Sequence, residues 1–209
     1  MVLAKRQIQD RLAADVTDPR SLVITPLLQF KDAFDSDSVD LRLGSHFIFG
    51  QAPPEPAVFP SKRGRSSQSR VHVPLGGYLV VPAHHTVLGA TLEFVKLPFD
   101  VSGQILTKSS VARMFVVIEA APWIHPYYRG CLTLEIANVS NTAVLLYPGR
   151  LIGQLILMDT AATEVPGSLK KTYLGPVFPE SPVFNDPEDD LARIGITEAE
   201  VSVPDFRRK

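Results

Sequence analysis

The chain has 209 residues, of which 45% are hydrophobic and 21% are charged, the composition of a globular protein with a core. Its formal net charge of -1 argues against a nucleic-acid-binding protein, and its single cysteine, Cys131, excludes an internal disulfide and a multi-cysteine metal site. No apolar stretch reaches the ~20 residues of a membrane span, and the first ten residues lack a signal peptide's apolar region. We therefore expect a soluble, cytoplasmic protein.

The first third of the chain predicts a helix, a strand and a loop. Apolar residues recur near one face in residues 3–15, which predicts a short amphipathic helix. Apolar and polar residues alternate in residues 38–49, with Asp40 on the polar side, which is typical of a half-buried strand. Residues 51–70 are dense in Pro, Ser and Arg and predict a long surface loop.

Residues 71–158 predict a series of short strands. Seven apolar runs recur at a spacing of about ten residues, which is typical of a sandwich or barrel. These runs are GGYLVVP, VLGATLEFVKLP, VSGQILT, MFVVIEA, CLTLEIANVS, AVLLYPG and LIGQLILM. Neither a βαβ alternation nor a glycine-rich phosphate loop is present, so a doubly wound nucleotide fold is disfavoured. We predict an all-β domain over residues 1–165 and an irregular tail over residues 166–209, with a short helix near 186–193.

Two segments carry groups suited to chemistry. In KSSVAR, residues 108–113, two cations and two hydroxyls lie beside backbone amides that are able to bind an anion. The alternative is that the serines cap a short helix. In CLTLEIAN, a strand places Glu135 on the face opposite Leu134 and Ile136. That carboxylate either faces solvent or lines a pocket, where it is suited to act as a general base.

The order and spacing of several motifs resemble the dCTP deaminases of the dCTP deaminase/dUTPase superfamily. The motifs are SVDLRLG, LEFVKLP, KSSVAR, the segment 130–138 and PGRLIGQLIL, and the resemblance spans about residues 3–158. It implies a distorted β-barrel or jelly roll of the dUTPase-like type and a homotrimer with active sites between subunits. It also implies hydrolytic deamination of dCTP to dUTP and ammonia without a catalytic metal. The sequence independently lacks the Pro-Cys-x-x-Cys pair of zinc-dependent nucleobase deaminases.

The resemblance also implies roles for individual residues. Glu135 is the general base that takes a proton from the water attacking C4 of cytosine, and Ser109 and Arg113 hold this water and Glu135 in place. Mg²⁺ enters bound to the triphosphate of a dCTP-, dUTP- or dTTP-type nucleotide, and no zinc is needed. The implied substrate-binding residues are Lys108, Ser109, Ser110, Val111, Ala112, Arg113, Ala121, His125, Thr133, Leu134, Glu135, Lys171 and Tyr173.

Three positions in the body of the chain depart from the family pattern. Lys108 stands where arginine is usual, and lysine cannot form the same bidentate contact with a phosphate. Phe115 stands where a glycine is expected. His125 replaces the aspartate that activates water in dUTPases, which argues against diphosphatase activity. The alternatives for His125 are a sugar contact and a turn residue packed on Trp123 and Tyr127.

The tail departs further. The family closes its site with a segment resembling Lys-Tyr-x-x-Gln-x-Gly-Pro, and here LKKTYLGP keeps Gly175 and Pro176 but lacks the glutamine. We expect Lys171 or Tyr173 to replace it. Three alternatives to a deaminase remain: a dUTP diphosphatase or a bifunctional deaminase-diphosphatase, a nucleotide-binding regulator without turnover, and a structural trimeric β-protein.

Overall fold

A computed structural model describes residues 1–28, 37–50, 68–118, 123–162 and 175–182. In these ranges the protein has two short helices and a set of β-strands, so the prediction of an all-β fold with a short N-terminal helix is confirmed. The helices are α1 Lys5–Ala13 and α2 Ser109–Ala112. The strands are β1 Val23–Thr25, β2 Ser38–Arg42, β3 His46–Gly50, β4 Gln68–His72, β5 Leu79–Val81, β6 Thr86–Lys96, β7 Val101–Thr107, β8 Val116–Ile118, β9 Trp123–Ile124, β10 Arg129–Asn138, β11 Val144–Leu146 and β12 Leu151–Asp159.

The strands form three sheets. One sheet has the order β4-β3-β6-β10-β8, with β1 also paired to β6; a second has the order β2-β12-β7-β9; and β11 pairs with β5. The pairs β6–β10, β7–β12 and β2–β12 are antiparallel, and β2 and β12 are far apart in the chain. The arrangement fits a jelly roll, and the sheets formed by the described residues do not close into one barrel.

The core is built from the apolar positions of the alternating strands. In β2 the predicted apolar face is confirmed, since Val39 and Leu41 are fully buried, whereas Asp40 on the predicted polar face is buried as well. Leu134 and Ile136 of β10 and Leu155 of β12 are equally inaccessible to solvent. Each fully buried side chain of this size contributes about 1.5–3 kcal/mol through the area it removes from water, so this alternation is the main source of stability.

Strand β6 bulges where it passes β10. In the register of the pair, Leu132 lies opposite three residues, Thr91–Glu93. The Thr91 hydroxyl accepts a hydrogen bond from the N–H of Leu132 at 2.9 Å and donates one to the carbonyl of Glu93 at 2.7 Å. The Glu93 carboxylate accepts a hydrogen bond from the N–H of Arg42 at 2.8 Å. Two side chains of the bulge thus satisfy backbone N–H groups of β10, the neighbouring strand, and of β2, which belongs to the other sheet.

Helix α1 is held at both ends. The side chain of Gln7 accepts a hydrogen bond from the N–H of Ala4 at 2.8 Å, and Ile8 is fully buried. Near the other end, the Arg11 guanidinium donates two hydrogen bonds of 2.8 Å to the Asp100 carboxylate, which raises the pKa of Arg11. The predicted amphipathic helix therefore packs onto the β-domain through an apolar contact and a bidentate ion pair.

Contacts between residues divide the chain into two units, Met1–Phe49 with Arg70–Glu180, and Gly50–Ser69 with Ser181–Lys209. In the second unit, the hydroxyl of Ser181 donates a hydrogen bond to Oε1 of Gln68. The predicted boundary between residues 165 and 166 and the predicted helix near 186–193 lie outside the described residues.

Two further observations concern the predictions for the loop and for a membrane span. Of the predicted surface loop at 51–70, residues 68–70 belong to strand β4, so the loop prediction is wrong at that end. The remainder of that loop lies outside the described residues. In the described part of the chain, no helix has the length and apolar character that a membrane crossing requires.

Candidate active site

The KSSVAR segment forms the one-turn helix α2 and its approach from β7. The N–H of Lys108 bonds to the carbonyl of Ile152 at 3.0 Å, which fixes the start of the turn on β12. Val111 is buried, whereas Ser109, Ser110 and Arg113 are exposed. Packing of Val111 in the core therefore leaves the other three residues, all predicted site residues, facing outward. The alternative that the two serines cap this helix is wrong, because Lys108 occupies the cap position and no side chain caps it.

Lys108 is paired with a carboxylate that the sequence placed on a solvated face. Its Nζ lies 2.5 Å from Oδ2 of Asp40, and the side chain of Asp40 is only 7% exposed, against 25% for Lys108. The second oxygen of Asp40, Oδ1, is buried without a hydrogen-bond partner in the described part of the chain. The expected polar face of β2 is therefore covered at Asp40, and part of the charge of Lys108 compensates this buried acid.

A cleft of about 450 Å³ lies beside α2. Lys108, Ser110 and Val111, all predicted to bind substrate, line it together with Tyr147 and Arg150. The sequence reading did not single out either of the last two as functional. The only signal for Arg150 was its place in the motif PGRLIGQLIL, directly after a Pro-Gly turn.

Phe115 occupies the backbone conformation of a glycine. Its φ is +59°, in the left-handed region, and its side chain is 64% exposed. The turn from α2 into β8 requires this conformation, because the N–H of Phe115 bonds to the carbonyl of Ala112 and its carbonyl accepts from the N–H of Val139. This conformation favours glycine, the residue that the sequence resemblance led us to expect here, and a bulky side chain held in it carries a backbone strain of about 1–2 kcal/mol.

Glu135 projects away from the hydrophobic core. Its neighbours Leu134 and Ile136 are fully buried, while Glu135 is exposed and Thr133 is half-buried on the same side. The predicted division of β10 into two faces is confirmed. The Glu135 carboxylate therefore lies on the outer face of this sheet, on the same side as Thr133.

The segment after residue 175 packs along the same strand. The N–H of Gly175 bonds to the carbonyl of Arg129, and the N–H of Cys131 bonds to the carbonyl of Pro176, both at 2.7 Å. Gly130 permits this approach, because its φ is +144° and a Cβ there would lie 2.4 Å from Cδ of Pro176.

Farther along the segment, the N–H of Glu180 lies 3.3 Å from the hydroxyl of Thr133, a predicted substrate-binding residue. The ring of Phe178 packs on His46, with 4.3 Å between ring centres. The retained Gly-Pro is thus the beginning of a docked segment that reaches the strand of Glu135. Lys171 and Tyr173, which precede it, lie outside the described residues.

His125 lies in the turn that follows β9. It is exposed, and its carbonyl accepts a hydrogen bond from the N–H of Tyr128 at 3.2 Å. Tyr127 has a φ of +63°, so the turn is tight. The sugar contact of His125 and its packing on Trp123 and Tyr127 stay predictions. Ala121 lies outside the described residues.

The predicted catalytic residues fall into two groups on one subunit. The carbonyl of Phe115 meets the N–H of Val139, and Glu135 precedes Val139 by four residues, or roughly 13 Å of strand. In the described part of the chain no ion pair joins Arg113 to Glu135. The structure therefore brings Lys108, Ser110 and Val111 together in the cleft, and it places Glu135 with Thr133 at a separate position.

No three His, Cys, Asp or Glu side chains in the described ranges lie close enough together to hold a metal ion. The Cys131 thiol is buried, and this burial, with the nearby Glu93 carboxylate, raises its pKa. Cys131 is thus kept in the thiol form, which is a poor metal ligand.

Comparison with solved structures shows the fold class. The chain aligns with the 2'-deoxycytidine 5'-triphosphate deaminase of Agrobacterium tumefaciens over 75% of its own length and 47% of that chain, with a TM-score of 0.57 and 23% identity. The two proteins share a fold.

Comparison of sequences shows the family. Residues 2–160 match the dCTP deaminase-like family, and the chain belongs to that family. A relative from Coprothermobacter proteolyticus, a dCTP deaminase of the dUMP-forming kind, is 33% identical over 83% of this chain and 93% of its own length. The dCTP deaminase of Halorubrum lacusprofundi is also 33% identical, over 83% of this chain and 82% of its own length.

Proposed function

We propose that the protein catalyses the hydrolytic deamination of dCTP to dUTP and ammonia. Membership of the dCTP deaminase-like family supports this, as do two relatives that bear the name dCTP deaminase. The observation that carries the proposal is the geometry of β10, where Glu135 points outward between the fully buried Leu134 and Ile136. The strand thereby holds a carboxylate in a fixed direction beside the Thr133 hydroxyl.

Glu135 acts as the general base. It takes a proton from water while the water oxygen bonds to C4 of cytosine, and it passes this proton to the departing amino group as the C4–N bond breaks. Ser109 and Arg113, exposed on α2, orient the water and the carboxylate. No step requires a protein-bound metal, so treatment with a zinc chelator followed by Mg²⁺ restores full deamination.

The substrate is the Mg²⁺ complex of dCTP. Lys108, Ser109 and Ser110 bind its phosphates, with the backbone of Val111 and Ala112; of these residues, Lys108, Ser110 and Val111 line the cleft. Thr133, Leu134 and the backbone of Ala121 read the base, and His125 contacts the sugar. Lys171 and Tyr173 close the tail over the triphosphate.

The active form is a homotrimer in which α2 of one subunit meets Glu135 of the next. Two observations support this arrangement: the turn after α2 contacts the chain at Val139, four residues or roughly 13 Å beyond Glu135, and no ion pair in the described part of the chain joins Arg113 to Glu135. Mixing Arg113→Ala subunits with Glu135→Gln subunits then restores about a quarter of the sites in randomly assembled trimers, because a site needs one intact contribution from each neighbour. Two inactive variants that stay inactive after mixing and reassembly rule this arrangement out.

The principal test is the substitution Glu135→Gln, with Asp10→Asn on the exposed face of α1 as the matched carboxylate-to-amide control. Ammonia release from dCTP is expected to fall about 10²- to 10⁴-fold in the first variant and to stay at the wild-type rate in the second. Equilibrium binding of dCTP is expected to persist in both. If Glu135→Gln deaminates dCTP at the wild-type rate, Glu135 is not the general base. If the wild-type protein binds dCTP but does not deaminate it, the protein is a nucleotide-binding regulator and not an enzyme.

The second candidate function is a bifunctional enzyme that continues to dUMP. The dUMP-forming relative from Coprothermobacter proteolyticus favours it. Against it stands His125, which replaces the aspartate expected to activate water for attack on phosphorus, and whose imidazole extends farther from the backbone. Incubation with dCTP or dUTP and separate measurement of ammonia and pyrophosphate distinguishes the two. Pyrophosphate release from dUTP establishes the bifunctional enzyme.

A further inference from the structure

The cleft beside α2 has walls from two distant parts of the chain. Lys108 and Ser110 contribute one side, and Tyr147 and Arg150, from the turn between β11 and β12, contribute the other. No Asp or Glu is among the described residues that line it. The rest of the lining of this cleft of about 450 Å³ is apolar. The polar groups, two cations and a hydroxyl without an acid beside them in the lining, are suited to an anion of small-molecule size.

The two cations of the cleft differ in their surroundings. The Lys108 ammonium is 2.5 Å from the buried Asp40 carboxylate, so the pair together adds little net charge to the cleft. Arg150 is exposed, and no ion pair in the described part of the chain involves it. Arg150 therefore supplies most of the positive charge that an anion in the cleft would meet.

The backbone of Arg150 is fixed while its side chain is exposed. The carbonyl of Arg150 accepts a hydrogen bond from the N–H of Leu43 at 2.9 Å, and its N–H donates to the carbonyl of Tyr147 at 3.2 Å. Gly149 makes the turn possible with a φ of +85°. The guanidinium carbon lies 5.9 Å from the centre of the Tyr147 ring, within range of a cation–π contact. The backbone of Arg150 is thus fixed, and among the described residues its guanidinium makes one weak contact, which leaves its N–H donors available to a ligand.

We propose that Arg150 binds the polyphosphate of the nucleotide and makes the site selective for triphosphates over monophosphates. The inference rests on the proposed function for its substrate. A guanidinium presents a planar pair of donors to phosphate oxygens, which the lysine at position 108 does not. Arg150 supplies the bidentate contact that is missing at Lys108, from the opposite wall of the cleft.

The test compares Arg150→Gln and Arg150→Lys with Arg70→Gln, an exposed arginine on β4 that is not part of the cleft lining. Loss of a charge-assisted contact is expected to raise the KM for dCTP about 10- to 100-fold in Arg150→Gln, with kcat within about twofold of wild type. The KM of Arg150→Lys is expected to lie between those of wild type and Arg150→Gln, because lysine keeps the positive charge but cannot make the bidentate contact. The inhibition constant of dCMP is expected to change less than about threefold, since it lacks the outer phosphates.

A second measurement separates this inference from the proposed function. Inorganic tripolyphosphate is titrated into the wild type and the three variants by calorimetry, which needs no turnover. Weaker binding in Arg150→Gln, with unchanged binding in Arg70→Gln, supports the inference even if the wild type proves unable to deaminate dCTP. Equal tripolyphosphate affinity in Arg150→Gln and wild type overturns it, as does an equal rise in KM for Arg70→Gln or a fall in kcat at unchanged KM.

Discussion

Replacing Lys108 by methionine is expected to destabilise the protein, because it leaves the Asp40 carboxylate buried without its cation. Removal of one partner of a buried ion pair costs about 3–5 kcal/mol. The side chain of Lys108 is 25% exposed, so the low end of this range, about 3 kcal/mol, applies here. For a chain of this length that loss lowers the melting temperature by roughly 6–12 °C.

A double-mutant cycle isolates the pair. In Asp40→Asn with Lys108→Met the buried charge is gone, and only the cost of a buried amide remains, about 1 kcal/mol. The double variant is therefore expected to be more stable than Lys108→Met alone. Urea unfolding at one fixed protein concentration gives the four free energies of unfolding, with Arg6→Met on the exposed face of α1 as the control. The reasoning is refuted if the losses of unfolding free energy in the two single variants add up to the loss in the double variant. It is also refuted if the free energy of unfolding of Lys108→Met lies within about 0.5 kcal/mol of the wild-type value.

Three further outcomes follow from buried or strained positions. Burial raises the pKa of Glu93, so the native state keeps the proton of this carboxyl to a higher pH than the unfolded state does. The free energy of unfolding therefore falls as the pH rises from the unfolded-state pKa of Glu93 through its native-state pKa. In Glu93→Gln the free energy of unfolding, measured with urea, is expected to depend less on pH over this range. Because φ is +59° at Phe115, the free energy of unfolding of Phe115→Gly is expected to be about 1–2 kcal/mol larger than that of Phe115→Val. Equal free energies of unfolding would contradict the backbone strain. Gly130→Ala is expected to push Pro176 away and speed hydrogen exchange at the amide of Cys131, whereas an unchanged exchange rate means that the segment adapts.

The positions of the strands were easier to predict from the sequence than the pairing between strands. Alternation of apolar and polar residues is a local property that burial on one face imposes, so β2, β6, β10 and β12 were all recognisable. The pairing of β2 with β12 was not, since the two strands are far apart in the chain and their register depends on packing across the whole core. The bulge at Thr91–Glu93 was hidden for the same reason.

The candidate site was recognisable as two motifs but not as a geometry. Asp40 was expected on a solvated face, and only the approach of Lys108 from β7 shows why a buried carboxylate is tolerated there. Arg150 gave no signal as a single arginine after a turn, because its role depends on a cleft formed with residues some forty positions earlier. Phe115 was visible as a departure from the family, and its left-handed backbone supplies the physical reason.

The exposure of the predicted catalytic side chains bears on when the enzyme is active. Ser109, Arg113 and Glu135 all face outward from the subunit that carries them. Positioned donors and carboxylates stabilise developing charge most strongly where water is excluded, and an open surface gives them little advantage over bulk solvent. Catalysis therefore depends on what covers these residues, which in the proposed trimer is a neighbouring subunit together with the tail. The segment from Gly175 to Glu180 is bonded to Arg129, Cys131 and Thr133 and so joins part of the tail to the strand that carries Glu135. In the proposed mechanism, closure of the tail over the triphosphate is therefore coupled to the placement of Glu135.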